Sequence, residues 1–265
     1  MTKTLRQLMN VSQIGEGART VVLAHGIGTD QTAWYDLAER LAPRFRVVLF
    51  DWIGCGRSDL SAYDPLRYGT LHAFADDLLS LLDELGVEQA DYVGHSLSGI
   101  VGCLAAAVEP ERFGRLVLLG ASPRYLDDGD YAGGFTQEGL DGLYAAMGAD
   151  FQAWVAGFAP LAMQNPDRPH LAHGFARTLG AMRPDIALGM LRTAFQSDAR
   201  DALPRIASPT LVLQARDDIA VPQAVGRYLA RHIRNGEYRE IDAAGHFAHI
   251  AAPDIVAAAV VGFLG

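Results

Sequence analysis

The sequence predicts an α/β fold in which helices cover both faces of a mostly parallel sheet. Two observations lead to this prediction. Short runs that are apolar at every position recur along the chain, and this is the pattern of strands buried on both faces. Segments in which apolar residues recur at helical spacing separate these runs, an alternation typical of parallel sheets with helical connections.

The elements follow one another in a regular order up to residue 121. Strands are predicted at residues 20–24, 46–50, 91–93 and 116–119, and each is short and contains Val or Leu. Helices are predicted between them at 30–42, 71–85 and 100–108. The same alternation resumes with strands at 209–214 and 237–241 and a helix at 221–232. A closing helix is predicted from Pro253, because proline is favoured at the first position of a helix.

The middle of the chain breaks this alternation. From residue 122 to about 204 there is no strand-like run, and helical pieces at 137–147, 150–159, 169–181 and 184–196 carry many aromatic side chains. A helical insertion of this kind predicts a cap over the strand ends, with some aromatic side chains lining a pocket beneath it. We therefore predict one folding unit with a core of residues 1–121 and 205–265 and a helical cap of residues 122–204.

Composition narrows the class of protein. The chain has 265 residues, of which 50% are apolar, and a formal net charge of −9. This charge argues against nucleic acid and anionic membrane as partners, since both need a positive face. Two cysteines form no disulfide framework, the first six residues lack the apolar run of a signal peptide, and no run of eighteen apolar residues occurs. These features predict a cytoplasmic protein.

The most informative stretch is the turn after the third strand, Gly94-His95-Ser96-Leu97-Ser98. A serine on a tight strand-to-helix turn has its hydroxyl pushed out above the sheet edge, as in the G-x-S-x-G motif of hydrolytic enzymes. The chain departs from that motif, because Ser98 stands where the second glycine is expected and Gly99 follows one position later. Alone, the turn is weak evidence for a nucleophile.

Further loops supply the partners that a serine nucleophile needs. An acid, Asp218, and a histidine, His246, follow later strands, giving the order Ser96, Asp218, His246 that α/β-hydrolases use. Histidine takes the hydroxyl proton as serine attacks a carbonyl, and the acid fixes the imidazole tautomer. The backbone N–H groups of Ile27, in the glycine-rich turn after the first strand, and of Leu97 are expected to form the oxyanion hole.

Neighbouring residues compete for two of these roles. Asp217 adjoins Asp218, and the Asp-Ile-Ala-Val-Pro context favours Asp218. His249 competes with His246, but the Gly-His turn directly after a strand favours His246.

Other reactive side chains are assigned to packing. His25 and His95 adjoin glycines in tight turns, where hydrogen bonding and packing are the expected roles. Cys103 is expected to be a small buried filler, and Cys55 to lie in a surface turn without a base partner. No metal-ligand spacing and no phosphate-binding glycine loop occurs, so neither a metal nor another cofactor is predicted.

With these motifs in view, the chain resembles the RsbQ group of α/β-hydrolases, which comprises bacterial RsbQ and the plant karrikin and strigolactone receptors. The shared stretches run from the first strand to the last loop and include the cap. They are His25-Gly26-x-Gly28-Thr29-Asp30-Gln31-x-x-Trp34, Gly94-His95-Ser96-x-Ser98, Ala121-Ser122-Pro123-Arg124-Tyr125, Tyr131-x-Gly133-Gly134-Phe135, Gly157-Phe158-Ala159-Pro160-Leu161-Ala162, Met182-Arg183-Pro184-Asp185-Ile186-Ala187, Phe195-Gln196-Ser197-Asp198 and Asp218-Ile219-Ala220-Val221-Pro222. Ser98 is the expected residue in this group.

The resemblance implies an α/β-hydrolase fold with a V-shaped cap of four helices. It supports the triad and both oxyanion donors, and it implies an apolar pocket lined by Phe135, Trp154, Phe158 and Phe195. In this group slow hydrolysis of small esters or butenolide-type enol ethers is coupled to signalling. Bacterial members act on stress-response phosphatases, and plant members bind F-box and repressor proteins.

Two departures put ligand identity in doubt. Ile27 replaces the commoner phenylalanine at the pocket floor, and Gly99 replaces a residue with a side chain, so both are expected to alter the pocket.

The sequence therefore predicts a serine hydrolase that cleaves a small, mostly apolar ester, lactone or butenolide-type substrate through an acyl-enzyme. The alternative is a ligand receptor or partner-activating signalling protein with slow, incidental hydrolysis and a regulatory protein partner. A dehalogenase or epoxide hydrolase is disfavoured, because those enzymes carry Asp where this chain has Ser96. A cofactor-free C–C bond hydrolase or a lactonase remains open on the same triad.

Overall fold

The computed structural model describes residues 3–265 of the chain. Met1 and Thr2, the first residues of the segment that lacks a signal-peptide pattern, lie outside the described residues. Among residues 3–265, no helix combines the length and the apolar character needed to cross a bilayer.

The centre of the fold is a seven-stranded sheet. Its strands are β1 (Ser12–Ile14), β2 (Arg19–Ala24), β3 (Phe45–Leu49), β4 (Ala90–His95), β5 (Phe113–Leu119), β6 (Thr210–Asp217) and β7 (Gly236–Ala244). They lie in the order β1-β3-β2-β4-β5-β6-β7, and only β1 runs antiparallel to its neighbour. All six predicted strands are present, and the mostly parallel sheet is confirmed. The short edge strand β1 was not predicted.

Eleven α-helices within residues 3–265 surround the sheet. They are α1 (Leu5–Leu8), α2 (Tyr35–Leu41), α3 (Leu71–Glu84), α4 (Leu97–Val108), α5 (Gln137–Ala149), α6 (Phe151–Met163), α7 (Pro169–Gly180), α8 (Pro184–Phe195), α9 (Gln223–His232), α10 (Ala248–Ala251) and α11 (Pro253–Leu264). Alternate residues of β2 belong to different apolar clusters: Val22 packs with residues of α3 and α4, and Val21 and Leu23 pack with residues of α2 and α11. Helices therefore cover both faces, as the all-apolar strands predict.

The helices α5 to α8 form the segment between β5 and β6. Helix α6 packs on α7 and α5 packs on α8, and their buried side chains join the apolar cluster that includes residues of α3 and α4. Its two ends meet through an isolated bridge between Arg124 and Asp198. The four helices are those predicted for the cap, while the division of the chain at residues 121 and 205 stays a prediction.

Two local expectations differ from the structure. The helix predicted over residues 30–42 begins as a 3₁₀ turn (Gln31–Trp34), and the Asp30 side chain caps this turn by accepting the Thr32 N–H at 2.9 Å. Cys55 is buried, not at the surface as expected, and its Sγ lies 3.7 Å from Sδ of Met190 on α8. The glycine-rich turn around Cys55 folds beneath that helix, and burial raises the pKa of the Cys55 thiol well above its usual value.

Candidate active site

The serine turn has the strained geometry that the sequence predicts. Ser96 links β4 to α4 with φ of 56° and ψ of −123°, a conformation that L-residues rarely adopt. Its N–H donates to the Leu119 carbonyl at 2.8 Å, which holds the turn against β5. A Cβ on Gly94 would lie 2.6 Å from the Ser98 carbonyl oxygen, so glycine is required there. The backbone is thus fixed with Ser96 at the carboxyl edge of the sheet.

The structure also explains the serine that departs from the usual motif. Ser98 Oγ accepts the Trp52 indole N–H at 2.7 Å and donates to the His25 carbonyl, so its hydroxyl is fully used within the core. The steric requirement for glycine falls on Gly99, where a Cβ would lie 2.6 Å from the Ala121 Cβ. Gly99 is not in the pocket wall, and its expected effect on the shape of the pocket stays a prediction.

Ser96, His246 and Asp218 are connected by hydrogen bonds. Ser96 Oγ lies 2.9 Å from His246 Nε2, and His246 Nδ1 lies 2.9 Å and 3.1 Å from the two carboxylate oxygens of Asp218. The carboxylate can only accept, so Nδ1 carries the proton and Nε2 is left to accept from the serine hydroxyl. All three side chains are buried or nearly so.

Asp218 is held by more than the histidine. Its Oδ1 accepts the N–H groups of Ala220 at 2.8 Å and Val221 at 3.1 Å, and Oδ2 accepts from Gln214 Nε2 at 3.3 Å. Asp217, the competing candidate, is exposed and pairs with Arg216 at 3.2 Å. Of the two acids, the structure places only Asp218 against His246.

Two further histidines support the site through hydrogen bonds. His25 Nδ1 donates to the Gly26 carbonyl at 2.9 Å, while its Nε2 accepts the Trp52 N–H at 3.1 Å. His95 Nε2 donates to the His246 carbonyl at 2.9 Å and so fixes the backbone of that residue. These are the packing and hydrogen-bonding roles expected of His25 and His95. Burial lowers the pKa of both side chains, and nearby histidines lower that of His95 further.

Among residues 3–265, His249, the competing base, has no hydrogen-bond partner for either ring nitrogen. Its ring stacks on Trp34 with centroids 4.3 Å apart and lies 4.4 Å from the ring of His95. Burial, with a smaller contribution from His246 and His25, lowers the pKa of His249 to about 3. This imidazole is therefore neutral at physiological pH.

The glycine-rich turn after β2 faces the serine. Gly28 has φ of 83°, and a Cβ on Gly26 would lie 2.5 Å from His95 Nδ1, so both glycines are needed for the turn to approach so closely. Within residues 3–265, neither the Ile27 N–H nor the Leu97 N–H donates to a protein acceptor. Both groups are therefore available to a ligand.

An apolar cavity of about 40 Å³ lies over Ser96 and His246. Its wall includes three of the four predicted aromatic residues, Trp154, Phe158 and Phe195, together with Ile27 and the unpredicted Tyr125. Phe135 lies behind the wall, stacked on Phe195 with centroids 5.2 Å apart. A cavity of this size holds only a few waters.

The helical segment is bonded to two loops of the site. The His246 N–H donates to the Ala162 carbonyl at 2.8 Å near the end of α6, and Thr178 Oγ1 on α7 donates to the Gly28 carbonyl at 2.7 Å. A Cβ on Gly245 would lie 2.1 Å from the Met163 carbonyl oxygen, so this loop packs tightly against α6. Helices α6 and α7 therefore position the histidine loop and the glycine-rich turn.

Sequence reasoning did not single out Tyr125 as a site residue. Its hydroxyl oxygen lies 3.3 Å from Ser96 Oγ. One signal was available, because Tyr125 follows β5 at the sheet edge that carries Ser96 and belongs to a stretch shared with the RsbQ group. Among residues 3–265, no three His, Cys, Asp or Glu side chains are grouped to hold a metal ion.

Comparison with known proteins gives concordant results. Residues 19–253 match the family described as alpha/beta hydrolase fold. The chain is 46% identical to a protein of Oryza sativa subsp. japonica named as a "Probable esterase", covering 93% of this chain and 92% of the relative. It is 44% identical to "Karrikin insensitive 2 receptor CA" of Petunia hybrida, with the same two coverages. A solved hydrolase from Oleispira antarctica has a TM-score of 0.95 at 30% identity, covering 98% of this chain and 96% of that one.

Proposed function

Because the chain belongs to the alpha/beta hydrolase fold family, we propose that it is a serine hydrolase acting on a small, mostly apolar ester, lactone or butenolide-type substrate. The observation that carries the proposal is the continuous chain of hydrogen bonds from Ser96 through His246 to Asp218, beneath an apolar cavity. The relatives named as an esterase and as a receptor support a small-molecule ligand for this site.

The first half-reaction uses the bond between serine and histidine. Ser96 Oγ attacks the substrate carbonyl carbon while its proton passes to His246 Nε2, and Asp218 stabilises the imidazolium through Nδ1–H. The C–O bond to the leaving group then breaks, and His246 gives its proton to the leaving oxygen. The product of this step is an acyl-enzyme on Ser96. Water activated by His246 releases the acid and restores the serine hydroxyl.

We assign binding of the oxyanion to the backbone N–H groups of Ile27 and Leu97. Negative charge develops on the carbonyl oxygen during attack, and the N–H groups of Ile27 and Leu97 are available to bind it. Such preorganised donors cost no rearrangement at the moment of reaction, and each contributes about 10²–10³ in kcat. Since α7 is bonded to the turn that carries Ile27, the position of this donor depends on the helical segment.

The experiment is acylation and turnover of p-nitrophenyl acetate. Mass spectrometry of the rapidly quenched wild-type protein should find one acetyl group on Ser96. The Ser96→Ala variant should show no adduct and should lose about 10⁶ in kcat. Ser98→Ala is the matched control, because it removes a neighbouring hydroxyl that is bonded within the core. An unchanged rate in the Ser96→Ala variant would refute the assignment of the nucleophile.

A second candidate function is a ligand receptor in which hydrolysis is slow and incidental. It is favoured by the 44% identity to a protein named as a receptor and by the small cavity. A receptor should show negligible steady-state turnover and bind a regulatory protein only when ligand is present. Pull-down with the immobilised protein, with and without a butenolide, separates the two functions. Rapid turnover without a ligand-dependent partner would exclude the receptor. The protein partner and a cytoplasmic location stay proposals.

A further inference from the structure

Tyr125 is placed so that its hydroxyl touches the nucleophile. The residue lies in the loop after β5, its side chain is buried, and its Oη is 3.3 Å from Ser96 Oγ. Within residues 3–265, Oη makes no other hydrogen bond. The ring is held by Phe195, with centroids 4.6 Å apart, and the backbone carbonyl accepts the Phe135 N–H at 3.1 Å. The hydroxyl therefore points into the site from a supported position.

The direction of the hydrogen bond follows from the rest of the site. Ser96 has one proton, and this proton is directed to His246 Nε2. The bond between the two hydroxyls is therefore donated by Tyr125 and accepted by Ser96 Oγ. Burial raises the pKa of Tyr125 well above its usual value, with a smaller contribution from Asp218. The phenol thus keeps its proton at neutral pH and can act as a donor.

We propose that Tyr125 is a further catalytic residue, whose hydroxyl transfers its hydrogen bond from Ser96 Oγ to the leaving-group oxygen of the substrate during acylation. This inference rests on the proposed serine hydrolase function. As Oγ bonds to the carbonyl carbon it becomes an ester oxygen, which is a weaker acceptor. The leaving oxygen, attached to the same carbon, gains negative charge as its C–O bond breaks. The better acceptor thus forms one carbon away from the atom that Tyr125 already contacts.

The protons balance without an additional reagent. The serine proton goes to His246 and then to the leaving oxygen, while Tyr125 donates a hydrogen bond and keeps its own proton. The length of the bond to Ser96 favours the exchange, since 3.3 Å is long for an O–H···O bond, whereas the bond between Ser96 and His246 is 2.9 Å. The wall residues around Tyr125 are mostly apolar, so its hydroxyl is one of few polar groups facing a bound ester.

This role selects for a class of substrate. The hydrogen bond strengthens with the charge on the leaving oxygen, and that charge is greatest for the anions of weakly acidic alcohols and phenols. Tyr125 therefore extends the reaction to esters and lactones with poor oxygen leaving groups. Activated esters such as p-nitrophenyl acetate, whose leaving group stabilises its own charge, gain little from Tyr125.

The test is the Tyr125→Phe variant with a series of substituted phenyl acetates. A hydrogen bond to a charged group contributes about 1.5–3 kcal/mol, which corresponds to roughly 10- to 150-fold in rate. We expect kcat/KM to fall at least about 10-fold for unsubstituted phenyl acetate and less than about 3-fold for p-nitrophenyl acetate. The dependence of rate on leaving-group pKa should be correspondingly steeper. Tyr144→Phe is the matched control, because Tyr144 is buried on α5 and is not in the pocket wall.

The possible outcomes distinguish failure of the proposed role of Tyr125 from failure of the proposed serine hydrolase function. An equal fold loss across the series, or no loss at all, overturns the inference, because the hydroxyl then does not act on the leaving oxygen. If the wild-type protein cleaves the series through Ser96 while the Tyr125→Phe variant keeps the wild-type dependence, only the role of Tyr125 fails. If the wild-type protein cleaves none of these esters and Ser96 is not acylated, both proposals fail. Equal melting temperatures establish that the two variants are folded.

Discussion

Replacing Asp218 by Asn tests the acid and the histidine tautomer in one experiment. The substitution keeps the size and shape of the side chain. Oδ1 accepts two backbone N–H groups at 2.8 Å and 3.1 Å, whereas Oδ2 accepts one more distant donor at 3.3 Å. The amide oxygen of Asn should therefore occupy the Oδ1 position, which directs its NH₂ group at His246 Nδ1.

An NH₂ group facing Nδ1 reverses the tautomer. The imidazole proton moves to Nε2, which then cannot accept from Ser96, 2.9 Å away. In a well-studied serine protease triad, the corresponding change lowers kcat about 10⁴-fold, which equals about 5.4 kcal/mol of transition-state stabilisation. We expect the Asp218→Asn variant of this protein to lose a similar factor with p-nitrophenyl acetate, with little change in fold.

The neighbouring acid provides the control. Asp217→Asn makes the same chemical change one residue away, on an exposed side chain that pairs with Arg216. This variant should retain at least about half the wild-type kcat. Steady-state rates measured near pH 8 and circular dichroism spectra complete the comparison. A loss below about 10-fold in the Asp218→Asn variant, or equal losses in both variants, would refute the proposed role of Asp218.

Two more predictions concern the buried histidine and the pocket wall. His249→Phe should make the free energy of unfolding less sensitive to acid. Both folded and unfolded states hold neutral imidazole above pH 6.5, but between 6.5 and about 3 only the unfolded state takes up the proton. As pH falls, protonation of His249 in the unfolded state should therefore lower the free energy of unfolding of the wild-type protein by up to about 1.4 kcal/mol per pH unit. From pH 6.5 to 5 the decrease should be about 2 kcal/mol. Phe158→Ala should raise the ratio of kcat/KM for p-nitrophenyl butyrate to that for the acetate by about 10-fold, because it removes a ring from the cavity wall and makes room for a longer acyl chain.

Each of these predictions has a defined contrary result. Urea unfolding from pH 7.5 to 5 checks the first, and parallel stability curves for wild type and the His249→Phe variant would contradict it. The other histidines are present in both proteins, so only the difference between the curves reports His249. Phe135→Ala is the control for the second, because Phe135 lies behind the wall. An equal change in both variants would mean that the wall does not limit chain length.

The sequence predicted the elements that recur with a clear period. Six strands and the four helices between β5 and β6 were placed to within a few residues, because most of them have an apolar pattern of their own. The edge strand Ser12–Ile14 has no such pattern, since only one of its three residues is apolar. It forms by pairing with β3, and that partner is distant in sequence.

Sequence could predict those residues of the candidate site that directly follow a strand. Ser96, Asp218 and His246 each follow a strand, and parallel strands bring their carboxyl ends to one edge of the sheet. The contact of Tyr125 with Ser96 could not be predicted in this way, because it depends on how the loop after β5 turns over the site. The prediction that Cys55 lies at the surface was wrong for a related reason. A glycine-rich turn indicates a surface position, but the packing of α8 against it buries the thiol.

The contacts of the helical segment make substrate access and reactivity interdependent. Helix α6 accepts the N–H of His246 through Ala162, and α7 binds the turn that carries Ile27 through Thr178. The proposed base, His246, and one proposed oxyanion donor, Ile27, thus each lie in a loop that is bonded to a helix lining the cavity. Any movement of α6 or α7 that admits a larger substrate weakens a bond that holds His246 or the turn of Ile27 in place. If the proposed triad is catalytic, reaction then waits until the helices return, and we expect slow turnover of large ligands.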